Sequence, residues 1–182
     1  NITTVPTGTS STSDDTDKLL SDMFTDRDIE VGYDENTDTV ITLSDSGTMC
    51  KSSDVTVNGG TVTVTAAGTY IIKGTLSDGS IVIDADKSDK IHIVLAGVSV
   101  SKSTAAPFYV KQADKVFVTL APDTENTLTN TGDFTAIDDN NIDSCIFSKD
   151  DITFNGSGTL TVSSEKGHGI VCKDTLCFTG GT

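Results

Sequence analysis

One unit of sequence occurs twice in this chain. Lys149-Asp150-Asp151-Ile152-Thr153-Phe154-Asn155-Gly156 returns as Lys173-Asp174-Thr175-Leu176-Cys177-Phe178-Thr179-Gly180, a shift of 24 residues. Each copy is a short apolar alternation bounded by turn residues, too brief for a helix and suited to a strand. An earlier pair has nearly the same spacing: Asp89-Lys90-Ile91-His92-Ile93-Val94-Leu95 aligns with Asp114-Lys115-Val116-Phe117-Val118-Thr119-Leu120 at a shift of 25. Self-similarity at a period of 20 to 50 residues marks stacked supersecondary units. It predicts an all-β fold, a right-handed parallel β-helix: a solenoid of about 24 residues per coil with a short N-terminal cap.

The cap is expected over residues 18–32, where Leu19, Leu20, Met23 and Phe24 precede Asp26, Arg27 and Asp28. Residues 1–20, rich in Thr, Ser and Asp, read as a flexible linker, and 21–182 as one domain whose C-terminal end is truncated if the parent chain continues. From Thr39 the period becomes two. Val55-Thr56-Val57 and Thr61-Val62-Thr63-Val64 flank an Asn58-Gly59-Gly60 turn, and Tyr70-Ile71-Ile72 and Ile81-Val82-Ile83 follow. The inward positions are then Ile91, Ile93, Leu95, Val98, Val100, Phe108 and Val110 in one coil. Val116, Val118, Leu120, Leu128, Ile146 and Ser148 serve the next, and Ile152, Phe154, Leu160, Val162, Ile170 and Cys172 the one after.

The formal net charge of −15 argues against nucleic acid or an anionic membrane as partner, because both are met by basic surfaces; divalent cations become natural partners. No apolar run approaches the roughly 20 residues that span a bilayer, so membrane insertion is not expected. The linker-like opening points to a secreted or cell-surface-attached protein. Cys50, Cys145, Cys172 and Cys177 lack zinc-ligand spacing; they form up to two disulfides with three pairings open, or stay free.

One repeat is longer than the others. Its extra length falls near 130–143, where Asp138, Asp139, Asn140, Asn141 and Asp143 offer hard oxygen ligands within six positions, a composition suited to calcium though without an EF-hand pattern. Asp84, Asp86 and Asp89 form a smaller acidic group. Lys111, Lys149 and Lys173 each follow the last inward residue of a strand and are expected to stand in an outward row, a candidate ligand-binding ladder against the alternative of local charge balance with Asp114, Asp150 and Asp174. Tyr109 and Phe147 precede them at equivalent outward positions, and His92 with Phe117 form another outward pair. Exposed rings would stack on sugar faces; buried ones would stabilise the strands. No catalytic residue is assigned. Lyase chemistry needs a strong base, the sole arginine is Arg27 in the expected cap, and an exposed lysine beside Asp does not have its pKa lowered.

Phe24-Thr25-Asp26-Arg27-Asp28, Ile41-Thr42-Leu43-Ser44-Asp45, Ala67-Gly68-Thr69-Tyr70, Gly74-Thr75-Leu76-Ser77-Asp78-Gly79, Thr124-Glu125-Asn126-Thr127-Leu128 and Phe147-Ser148-Lys149-Asp150-Asp151 occur in order. With them the chain resembles, from about Ser21 to Thr182, exported bacterial carbohydrate-binding domain-containing proteins with a pectate-lyase-like right-handed parallel β-helix. The resemblance implies binding of plant cell-wall polysaccharide, acidic pectic chains such as polygalacturonate or cellulose, with calcium in the fold and no established catalysis. Two features depart from the family: further coils usually follow the Thr179-Gly180-Gly181-Thr182 position, and Cys172 and Cys177 stand where Ser and Val are usual. The expected function is non-catalytic, calcium-dependent polysaccharide binding at the bacterial cell surface. The alternatives are a structural β-solenoid subunit of a surface fibre or adhesin, self-associating end to end, and, behind both, a polysaccharide lyase.

Overall fold

The alternating Val, Ile and Thr segments form strands throughout. The computed structural model of the chain describes residues 23–135 and 141–182, so the expected linker lies outside the described residues. Strands β1 (Thr39–Leu43), β2 (Val55–Asn58), β3 (Thr61–Val64), β4 (Gly68–Leu76), β5 (Ser80–Asp84), β6 (Lys90–Lys102) and β7 (Phe108–Gln112) make up the N-terminal half. β8 (Lys115–Leu120), β9 (Glu125–Asn130), β10 (Ser144–Ser148), β11 (Asp151–Gly156), β12 (Thr159–Ser164), β13 (His168–Cys172) and β14 (Leu176–Phe178) complete the series, and among the described residues the short helix α1 (Asp26–Ile29) lies ahead of it.

The strands form two sheets. The eight-stranded sheet runs β1-β4-β6-β8-β11-β14 and forks at the long strand β6, whose first half pairs with β8 and whose last residues pair with β9, itself paired with β12. The six-stranded sheet runs β13-β10-β7-β5-β3-β2. Among the described residues these strands pair in parallel except in the β2–β3 hairpin, closed by the expected Asn58-Gly59-Gly60 turn with Gly59 at φ +58°, and an isolated antiparallel bridge joins Thr42 to Met49.

This corrects the expected fold class. A single right-handed parallel β-helix of uniform coils is not what the chain forms; two mostly parallel sheets enclose a shared core in a sandwich-like arrangement, with an antiparallel hairpin at one edge. The spacing of 24 is local. It links Ile152 to Leu176 and Ile146 to Ile170, but residues paired in parallel elsewhere are separated by as few as 19 positions, Thr61 to Ser80, and as many as 38, Phe108 to Ile146.

Alternation did identify the buried face. Ile91, Ile93, Leu95, Val98, Val100, Phe108, Val110, Val116, Val118, Leu120, Leu128, Ile146, Ile152 and Phe154 join one apolar cluster, and Leu160, Val162, Ile170 and Cys172 pack against it. Of the expected end cap over 18–32, residues 18–22 lie outside the described residues; in the described part, a strap opening with α1, the helix does not cover the first strand but lies against β11, near the opposite edge of the eight-stranded sheet. Asp28 draws it there. Its carboxylate receives Lys115 Nζ at 2.7 Å and Thr153 Oγ1 at 2.6 Å, while its carbonyl accepts from Asn155 Nδ2 at 3.1 Å and Thr179 Oγ1 at 2.7 Å. Tyr33, further along this strap, packs on an outer apolar row of Ile71, Val94 and Ala121.

Candidate functional site

The strap and the long insertion decide which outward residues stay open. On the eight-stranded sheet, His92 pairs in register with Phe117, as expected for outward neighbours, yet both are buried. Arg27 lies 5.1 Å and Lys115 5.5 Å from the Phe117 ring centroid. Thr119 Oγ1 donates to Asn155 Oδ1 at 2.6 Å, so it accepts from His92 Nε2 at 2.7 Å, which fixes the imidazole with its proton on Nε2. Burial, reinforced by the nearby Arg27 guanidinium, pulls the His92 pKa down to about 4.

On the six-stranded sheet, Tyr109 and Phe147 do stand in register, with centroids 5.9 Å apart in an edge-on arrangement. They are not an open stacking platform. Ala106, Ile142 and Phe134 cover them, the last two from the flanks of the insertion, so aromatic stabilisation of the sheet is the role the structure gives them. The insertion's described stem is pinned as well: Thr135 N donates to Thr104 O at 2.7 Å, and Asp133 pairs with Lys166 at 3.1 Å.

The three lysines follow consecutive positions on successive strands, since Lys149 N donates to Val110 O and Lys173 N to Ser148 O. Their surroundings differ. Lys111 pairs with Asp84 at 2.6 Å, Lys149 is half-buried, and the Lys173 ammonium sits 5.5 Å from the Phe147 ring centroid. Asp114 pairs with Lys90 rather than with the row, and Asp150 accepts from Ala113 N.

Of the calcium set, Asp138, Asp139 and Asn140 lie outside the described residues. Asn141 Nδ2 donates to Asp143 Oδ2 at 3.4 Å. Among the described residues no group of three or more His, Cys, Asp or Glu is placed to hold a metal ion. The smaller group is divided: Asp84 pairs with Lys111, and Asp89 accepts from Ala67 N. All four cysteines are free thiols, and burial pushes Cys145 up to about 11.

On the outer face of β3, β5 and β7 lies an open groove of about 500 Å³. Its floor is Thr61, Thr63 and Val82, with Asp84 and Lys111 at one end. Lys102, Ala105 and Ala106 flank the other end, where Thr135 of the insertion also lies. Ser80 Oγ donates to Ala106 O at 2.9 Å and ties the loop to the sheet. Lys102 pairs with Asp78 at 3.2 Å, and Asp78 in turn accepts from Ser103 N and Oγ, which holds its carboxyl below the usual value. The groove therefore combines hydroxyls, the Lys111–Asp84 pair, the Lys102 ammonium and small apolar surfaces, a lining for a polar ligand with apolar faces. Lys111 and Tyr109 were legible as candidates. Thr61, Thr63, Ser80 and Lys102 were not, although the outward Thr positions of β3 were already a signal.

A family model described as carbohydrate-binding domain-containing protein matches residues 58–182. A carbohydrate-binding domain-containing protein of Acetivibrio thermocellus is 39% identical over 122 residues, which are 66% of this chain and 43% of that protein. A solved structure described as the polysaccharide lyase-like protein from C. thermocellum, in a gadolinium derivative, is similar with a TM-score of 0.74 and 33% identity. That likeness covers 80% of this chain and 60% of the other. The chain thus spans less than two thirds of the length of either relative.

Proposed function

The chain belongs to the family of carbohydrate-binding domain-containing proteins, and from that premise we propose that it binds polysaccharide in the groove on the outer face of β3, β5 and β7 without transforming it. The groove's lining carries the reading. Sugar rings present hydroxyls around their edges and C–H bonds on their faces; Thr61, Thr63, Asp84 and Lys111 offer partners for the first, and Val82, Ala105 and Ala106 surfaces for the second. Binding without chemistry is supported by position: the buried imidazole of His92 lies beneath the strap on the other sheet, away from the groove.

The ligand we propose is plant cell-wall polysaccharide, either cellulose or an acidic pectic chain, met outside a bacterial cell. For the acidic chain we propose calcium as the bridge, because a protein of net charge −15 repels a polyuronate unless a divalent cation stands between the carboxylates. The acidic insertion is proposed for this on its sequence alone.

Depletion from solution by insoluble cellulose and by immobilised polygalacturonate, with calcium and with chelator, tests the reading. Retention on either polymer above a neutral protein control is expected, with chelator removing only the polygalacturonate component. Retention on neither sinks the carbohydrate reading, and retention on polygalacturonate that survives chelation sinks the calcium bridge.

A further inference from the structure

We propose that the groove takes its polysaccharide lengthwise along β5, anchored at one end by the Lys111–Asp84 pair and at the other by Lys102, which Asp78 holds in place, so that the site requires a minimum length of sugar chain. This rests on the polysaccharide reading above and adds an orientation and a length requirement to it.

Three placements carry the inference. Lys111 and Asp84 meet at the C-terminal end of β5, whereas Lys102 and Asp78 meet beside the turn that leads into Ser80 at its start. The strand from Ser80 to Asp84 separates them by four residue steps, about 13 Å. Across the strands the way is closed: Tyr109 on β7 is followed by Phe147 on β10, which lies under Phe134 and Ile142. A chain laid across the sheet would run into the insertion, while one laid along β5 passes over Thr61, Thr63 and Val82.

Both ends suit the role of anchor. Lys111 and Asp84 keep 45% and 35% of their side-chain surface exposed, and Lys102 keeps 20%, so the pair has donors and acceptors, and Lys102 donors, left for sugar hydroxyls. Neither charge has to abandon its partner to bind a ligand. A sugar chain that reaches one anchor is presented to the second at high effective concentration, and a shorter one is not.

Calorimetric titration with length series of cello-oligosaccharides and of oligogalacturonates, the latter with calcium present, tests this on the wild type, Lys102→Met and Lys111→Met, with unfolding curves confirming that each variant folds. Affinity is expected to step up about tenfold at the length that spans both anchors and then flatten. Either substitution should remove the step, and Lys102→Arg should restore it. An affinity that climbs evenly with length, or a step that survives both substitutions, overturns lengthwise anchoring while leaving polysaccharide binding intact. Failure to bind any oligomer of either series, or either parent polymer, overturns the underlying reading and the orientation with it.

Discussion

Asp28 shows how one side chain fixes a segment far from it in sequence. Burial alone would raise its pKa, but Lys115, Thr153 and Thr25 hold the carboxyl well below its usual value. Replacing it with Ala leaves the Lys115 ammonium, 16% exposed, without its partner, and we expect a loss of about 3 kcal/mol in denaturant unfolding. Because the folded carboxyl titrates below its unfolded value of 3.8, that contribution is complete above pH 3.8 and lost as the pH falls through the lower folded value. His92 works in the same direction at higher pH. Folded it titrates at about 4 and unfolded at 6.5, so between those values the unfolded chain takes up a proton that the fold refuses, and stability falls as the pH drops. The difference corresponds to on the order of 3 kcal/mol. Urea unfolding of His92→Gln should show a flatter profile from pH 6.5 to 4 than the wild type; an unchanged slope would assign the acid sensitivity elsewhere. Gly156 is required for a different reason: at φ +94°, an added Cβ would lie 2.2 Å from the Leu120 carbonyl oxygen. Gly156→Ala should cost about 3 kcal/mol, read as a lowered unfolding midpoint.

Strands and turns were legible to different degrees. Inward positions such as Ile91, Ile93 and Leu95 follow from alternation, because a period of two on a sheet enclosing a core leaves little choice. Alternation also put His92, Phe117, Tyr109 and Phe147 on the outer faces, but it says nothing about what lies over those faces. The covers come from distant sequence: the strap contributes Arg27 and Asp28, and the insertion contributes Phe134 and Ile142. Alternation is equally silent about what the acidic residues meet. Many are turn acceptors that join one strand connection to the next: Asp45 accepts from Ser77 N, Asp78 from Ser103 N, Asp150 from Ala113 N and Asp151 from Thr175 N. Phe134 is the test of the insertion as a cover. Phe134→Ala should lower stability by about 2 kcal/mol, less than a fully buried ring because Phe134 is half-exposed, and should raise the hydrogen exchange of the β7 and β10 amides.

The molecule as a whole departs from the repeat that announces it. Two copies at 24 residues suggest a uniform coil, but the connections vary from the tight β2–β3 hairpin to the long passage between β7 and β10, and the result is two mostly parallel sheets around one core. A period measured over two strands cannot reveal the lengths of loops that carry no repeat. The candidate site was partly legible for the same reason: Lys111 lies at an outward position of strand β7, whereas Lys102 closes the long strand β6 and Thr135 reaches the groove from the flank of the insertion. The account places polysaccharide on the outer face of β3, β5 and β7. Thr63→Tyr fills the middle of that groove from an outward, half-exposed position, and Lys73→Met changes the eight-stranded sheet instead. The decisive measurement is depletion by cellulose and by calcium-loaded polygalacturonate of these two variants beside the wild type, each checked for the same unfolding midpoint. The account predicts that Thr63→Tyr loses retention while Lys73→Met keeps it; equal retention by all three would contradict the assignment of the groove.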